Sequence, residues 1–190
     1  MSLKTIGFAL CGSFCTFSRA IPQMQLLAEQ GYKIIPIMSE TAYTTDTRFG
    51  TAQGFIDKIE EITGSKIIHT ISQAEPIGPK KMCDLLIVAP CTGNTLSKIC
   101  NAITDTCVTM AVKSHLRIGR PVLLSIATND GLGASAQNIG KMLNTKNVFM
   151  TPFSQDDPEN KPNSLVSHFE QLVPCAELAL IGKQMQPIFK

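Results

Sequence analysis

The stretch Leu85–Thr106, LLIVAPCTGNTLSKICNAITDT, changes character at Pro90. Leu85 to Ala89 are apolar on successive residues, the pattern of a strand covered on both faces. Beyond Pro90 and Cys91 stand Thr92, Gly93, Asn94 and Thr95, small hydroxyl, glycine and amide residues that open a helical pattern. A buried strand running into a capped helix is the unit of parallel α/β sheets, and such a junction lies where those sheets bind ligands.

Outward from that junction the same unit recurs. Further strands are predicted over 5–10 (TIGFAL), 32–38 (YKIIPIM), 65–70 (SKIIHT), 121–127 (PVLLSIA) and 147–151 (NVFMT), with the central one over 84–89. Amphipathic segments lie between them, near 18–30, 51–63, 94–100, 105–116 and 134–144. Gly31 and Gly64 are placed to close the first two helices, and Pro36, which lacks an N–H, puts the second strand near an edge or a bulge. The alternation predicts one α/β domain over residues 1–190, a three-layer α/β/α Rossmann-like sandwich on a six-stranded parallel sheet with right-handed crossovers. Residues 151–164 (TPFSQDDPENKPNS) read as an ordered polar loop, and 165–190 as a C-terminal helix, near 165–184, and tail.

Composition narrows the class. With 190 residues and 44% apolar content the chain can close one core. Its 17 basic and 15 acidic residues are interspersed, which gives no electrostatic reason for a nucleic-acid or membrane partner. No charged and apolar leader is read, and no run approaches the roughly 20 apolar residues of a membrane span, so a cytoplasmic chain is expected. The seven cysteines (Cys11, Cys15, Cys83, Cys91, Cys100, Cys107, Cys175) form no C-x-x-C pair, and neither a disulfide framework nor a metal site is expected.

Four strand ends carry residues suited to an anion: Gly12 and Ser13 after the first; Ser39 and Thr41, with Arg48 further on, after the second; Thr92, Gly93, Asn94 and Thr95 after the central one; Thr128 and Asn129 after the next. Each alone is an ordinary cap or turn, but all of them on one edge of a sheet point to a ligand cleft. CGSFC is not the dinucleotide fingerprint, and no acid closes the second strand; Glu40 is the nearest. FMN or a simple phosphate is therefore expected over a dinucleotide. His69, His115 and His168 are isolated, Asp105 and Asp130 read first as caps, and the catalytic residues are not identified.

The segment IVAPCTGNTLSKICNAITDT, with GFALCGS in the first strand and IPIMSETA in the second, resembles the flavoprotein family that includes flavin-dependent cysteine decarboxylases and phosphopantothenoylcysteine decarboxylase. The resemblance implies strand order 3-2-1-4-5-6 and a homo-oligomer, a trimer or a multiple of one. CGSFCTF, TRFG, AEPIGPK, ATNDGLG, NTKN and PFSQDDPENKPNS narrow it to a branch found in endospore-forming bacteria. The implied role there is one subunit of a cytoplasmic mother-cell enzyme that oxidises dihydrodipicolinate, a dicarboxylate, to dipicolinic acid during sporulation. Its partner, the A subunit of that enzyme, resembles an NAD(P)-binding dehydrogenase. The decarboxylase pattern is broken: the family's catalytic histidine falls on Pro76, and its P-x-M-N-x-x-M-W loop becomes IATNDGLG, which keeps only Asn129. Loss of base and substrate clamp together argues against thiol decarboxylation.

Overall fold

The computed structural model describes residues 4–190. Its strands are β1 (Thr5–Leu10), β2 (Lys33–Met38), β3 (Leu85–Cys91), β4 (Val122–Thr128), β5 (Val148–Met150), β6 (Phe153–Ser154) and β7 (Leu165–Ser167). The helices are α1 (Phe17–Glu29), α2 (Glu40–Thr44), α3 (Ala52–Thr63), α4 (Ile71–Ala74), α5 (Gly93–Cys100), α6 (Cys107–Arg117), α7 (Ala136–Leu143) and α8 (Leu172–Leu180). A parallel ladder runs β2-β1-β3-β4-β5, and β7 with β6 adds an antiparallel pair to the far end of β4, making seven strands.

The apolar runs of the sequence are divided between two cores because successive side chains on a strand point to opposite faces. Ile6, Phe8, Leu10, Leu85, Ile87 and Ala89 join α1, α3 and α8 on one side. Ala9, Leu86, Val88, Leu124 and Ile126 join α5, α6 and α7 on the other. Each wholly buried Leu, Ile or Phe contributes about 1.5–3 kcal/mol over leaving it exposed. Helix ends follow the sequence: Gly64 (φ 60°) stops α3 and Gly31 (φ 89°) follows α1, both in the left-handed region that favours glycine.

Two expectations need correction. The third strand, expected over 65–70, is a single parallel bridge between Ile37 and Ile68, because Thr70 caps α4 and the amides of His69 and Thr70 donate to the Gln73 side chain. The sheet therefore differs in detail from the expected six parallel strands in the order 3-2-1-4-5-6: it has seven strands, a lone bridge stands where the third strand was expected, and β7 and β6 add an antiparallel pair. Pro36 lies in β2, the last strand on its side of the sheet, as its missing donor suggested. The helix expected near 165–184 begins only at Leu172, and Leu165–Ser167 is the strand β7. Pro174 is the reason: it has no N–H and fits only in a first helical turn, so no regular helix passes through it from Leu165. Within the polar loop, Phe153–Ser154 forms β6, and the remainder is ordered by Gln155 Nε2 donating to Pro162 O (2.7 Å) and the Asn160 amide to Asp157 (3.1 Å).

His115 of α6 is fully buried, with Nδ1 3.6 Å from Cys83 Sγ and Nε2 without a partner among the described residues. Burial, then the nearby Arg120 charge, lowers its pKa from 6.5 to about 4. The unfolded chain therefore takes up a proton near pH 6.5 that the folded chain refuses until about pH 4, so stability falls as pH drops through that window. The loss is about 3 kcal/mol from this group. Denaturant melts of His115→Leu should show a flatter decline between pH 6.5 and 4 than the parent; parallel profiles would contradict the assignment.

Candidate functional site

The expected site residues all lie along the carboxyl edge of the parallel sheet, at the ends of β1, β2, β3 and β4. At the centre, β3 carries a one-residue bulge: Val88 pairs Leu124, but Cys91 pairs Ile126. Pro90 within it has no N–H, and its carbonyl accepts the Cys11 amide at 3.2 Å. The bulge thus ties the β1 loop to the β3 end and sets the direction in which α5 leaves the sheet.

Thr92 caps α5 by accepting the Thr95 amide at 3.2 Å, and its own hydroxyl donates to Thr95 Oγ1 at 3.1 Å. The Thr95 hydroxyl also lowers the Cys11 thiol's pKa, against the larger effect of burial. These two hydroxyls are committed internally, so what the junction offers a ligand is the amides of Gly93 and Asn94 at the first turn of α5, together with the exposed Asn94 side chain. Gly93 has no room for a side chain: a Cβ would stand 2.6 Å from Thr128 Oγ1 and 2.9 Å from Ser135 Oγ. Those hydroxyls both donate to Asp130 Oδ1, that of Ser135 at 2.8 Å, and hold the Asp130 carboxyl below its usual range. Asp130 is thus a turn former and not the helix cap it was read as, since the cap position of α7 is Ser135.

At the neighbouring strand ends, Ser39 is buried, caps α2 by accepting the Ala42 amide at 3.2 Å, and joins β1 through its own amide to Leu10 O. Gly12 faces Thr41, where an added Cβ would meet the Thr41 methyl at 3.5 Å, an ordinary contact. Glu40, the nearest approach to a ribose-binding acid, accepts the Cys107 amide at 3.0 Å at the start of α6. Arg48 lies over the ring of Phe49.

The edge opens into separate cavities. One of about 610 Å³ lies between α5 and α7 and takes Gly93, Asn94 and Asp130. Another, of about 290 Å³, takes Ser13, Asn129 and Thr128 and is bordered by Arg19, Asp156 and Lys161. Sequence reasoning passed over Arg19 and Lys161: the first follows the hydroxyl run of the β1 loop in α1, the second sits in the polar tail, and only the folded chain brings them together. His69 lines a third cavity of about 550 Å³ and stacks on Tyr43 at 3.8 Å. His168 bonds Ser154 (2.9 Å) and Glu170 (3.2 Å). Asp105 does not cap α6, whose cap is Thr106; it pairs with Lys98 at 2.9 Å.

The three buried cysteines at this edge are poorly suited to act as nucleophiles. Burial pushes the Cys11 thiol up to about 11 and raises Cys91 and Cys107 as well. Among the described residues no group of three or more His, Cys, Asp or Glu is placed to hold a metal ion. No helix among them is long and apolar enough to cross a membrane.

The Flavoprotein family model matches residues 1–173, spanning every strand end described above. The chain belongs to the Flavoprotein family. Among its relatives, the B subunit of dipicolinate synthase from Bacillus subtilis (strain 168) is 45% identical over 185 residues, covering 97% of this chain and 92% of the relative. The crystal structure of the dipicolinate synthase B subunit from Bacillus halodurans C superposes with a TM-score of 0.91 at 46% identity, covering 98% of this chain and 96% of that one. The FMN-dependent cysteine decarboxylase TvaF shares the fold at a TM-score of 0.65 and 16% identity, covering 94% of this chain and 98% of that one. As a Flavoprotein member the chain departs from the decarboxylase pattern where its sequence does: Pro76 begins no histidine-bearing loop but sits in a 3-10 turn, Glu75–Ile77, packed on α6.

Proposed function

We propose that this chain is the B subunit of a dipicolinate synthase, acting with an NAD(P)-binding A subunit to convert dihydrodipicolinate to dipicolinate in the cytoplasm of a sporulating mother cell. The observation that carries the reading is 45% identity to the B subunit of such a synthase over 97% of the chain, tail included. Aromatisation of the dihydropyridine ring releases a hydride, to the partner's nicotinamide, and a proton, to solvent. This chain's share is to hold and orient the dicarboxylate at the edge where the subunits meet, since fixing geometry alone can lower a barrier by several kcal/mol.

Family membership supports a bound mononucleotide as well, and the donors at the strand ends fit one. The Ser13 and Thr41 hydroxyls, the Ser39 hydroxyl proton and the Gly93 and Asn94 amides suit a phosphate monoester, while Glu40 is engaged with α6 and offers no ribose acceptor for a dinucleotide. FMN, when bound there, supplies a redox-active ring. A second reading, an independent FMN enzyme, draws on the same family membership; synthesis of dipicolinate only by the pair of subunits separates the two. The single domain over 1–190 and a homo-oligomer, a trimer or a multiple of one, belong to the proposal.

Asn94→Ala and Asn129→Ala, combined in one chain and mixed with the A subunit, should lower dipicolinate formation about tenfold or more, because a hydrogen bond to a charged group is worth about 1.5–3 kcal/mol. Both side chains are exposed, so the variant should fold. Undiminished turnover would leave the cleft without a part in the reaction and favour a chain that only stabilises its partner.

A further inference from the structure

The polar tail is strapped onto the loop after β4. The Ala127 and Thr128 end of β4 pairs with β7, the Leu132 amide donates to Asn163 O at 3.0 Å, and Gly131 lies so close to Leu165 that an added Cβ would stand 2.6 Å from its side chain. Between this strap and the β1 loop lies the cavity of about 290 Å³. That volume is at the small end of ligand pockets, which run from about 300 to 1,000 Å³, and suits a single substituted ring better than a nucleotide.

Its two cations come from opposite walls, Arg19 from α1 and Lys161 from the tail. Arg19 lies over the ring of Phe169, 5.2 Å from its centroid, and the polar partners of both cations are loose. Arg19 Nη2 is 3.4 Å from Ser167 O and 3.5 Å from Glu170, and Lys161 Nζ is 3.7 Å from Asp156. A charge-assisted N–H···O⁻ bond is shorter, about 2.7–2.9 Å, and neither pair reaches it. With five donors on a guanidinium and three on an ammonium, each has N–H groups to give a ligand. Ser13, from the β1 loop, and Asn129, from the loop after β4, add a hydroxyl and an amide to the lining, and Asp156 is the one acid among the described residues that lines it.

We propose that this tail-roofed cavity is a dicarboxylate site, in which Arg19 and Lys161 each take one carboxylate of a planar ring diacid, with Asn129 and Ser13 donating to the same groups. The inference rests on the synthase reading and gives that reaction's diacid a seat in this chain. Asp156 keeps Lys161 over the cavity and repels a ligand bearing a third anionic group.

Calorimetric titration of the full chain with pyridine-2,6-dicarboxylate at low salt tests the site without the partner present. The parent chain should bind it, Lys161→Gln and Arg19→Gln should each weaken binding tenfold or more, and pyridine-2-carboxylate should bind at least tenfold more weakly than the diacid. Lys146→Gln makes the same change of net charge at an exposed residue outside the cavity, and should leave binding within twofold. Lys161 lies on an exposed loop, so that variant keeps the test open even if Arg19→Gln proves unstable. No binding by the parent, or equal binding by Lys161→Gln, would overturn the proposal. If the binding pattern appears but the chain mixed with the A subunit makes no dipicolinate, the diacid site stands and the synthase reading falls.

Discussion

Replacing Gly78 with alanine should cost the protein about 3 kcal/mol or more and lower its melting temperature by about 6–12 °C, at the 2–4 °C per kcal/mol expected for a domain this size. Gly78 follows the 3-10 turn Glu75–Ile77 and is pressed against the backbone of α6. An added Cβ would collide with the Ser114 carbonyl oxygen and stand 2.6 Å from Ser114 Oγ. The obstruction is helix backbone, so no side-chain rotation relieves it. The same shift would break two hydrogen bonds of 2.8 Å, a buried one from the Gly78 amide to Ser114 Oγ and a partly buried one from Ser114 Oγ to Glu75 O. Buried groups left unpaired cost about 1–3 kcal/mol, in addition to the overpacking. Gly140→Ala in α7 is the control: nothing lies within 4 Å of its added Cβ, and the helix should gain about 0.5–1 kcal/mol. A thermal melt that places the Gly78→Ala midpoint at or above that of the parent would show that the turn can move away from α6.

The layered fold was legible in the sequence because buried parallel strands have a local signature. TIGFAL became β1 over the expected residues, and the runs beginning at Lys33, Leu85, Val122 and Val148 became strands shifted by a residue or two. Where the prediction failed, competing local bonds decided. Ile67 and Ile68 read as strand, yet the capping box of Thr70 and Gln73 starts a helix directly after them. Leu165–Ser167 read as helix, yet the free end of β4 needed a partner and Pro174 blocked the alternative. The short helix α2 lies in a segment to which no element was assigned from sequence, although Ser39 was singled out for the chemistry that makes it a cap.

The candidate site was legible in kind more than in detail. The sequence located every strand end that now meets the sheet edge, because hydroxyls, amides and glycines cluster at helix starts. It could not show that the Thr92 and Thr95 hydroxyls bond each other, or that Asp130 gathers Thr128 and Ser135 beneath Gly93. Arg19 and Lys161 are more than a hundred positions apart, and neither has a local pattern that marks it; their meeting depends on the pairing of β7 with β4.

The largest effect on activity is expected from separating the two subunits. At the strand ends the buried thiols of Cys11, Cys91 and Cys107 are raised above their ordinary range, and Asp130 is held below its own by two hydroxyls, so none of these four groups is suited to take a proton or attack a substrate. On the proposed function, this chain's part is to orient a diacid at its anion-binding edge. A hydride acceptor on the partner is then indispensable, and either chain alone should be without measurable synthase activity. The direct measurement is dipicolinate formation from dihydrodipicolinate and NAD(P)⁺ by this chain alone, by the A subunit on its own and by their mixture. The account predicts product from the mixture and none above background from either chain; full activity of one chain by itself would contradict it.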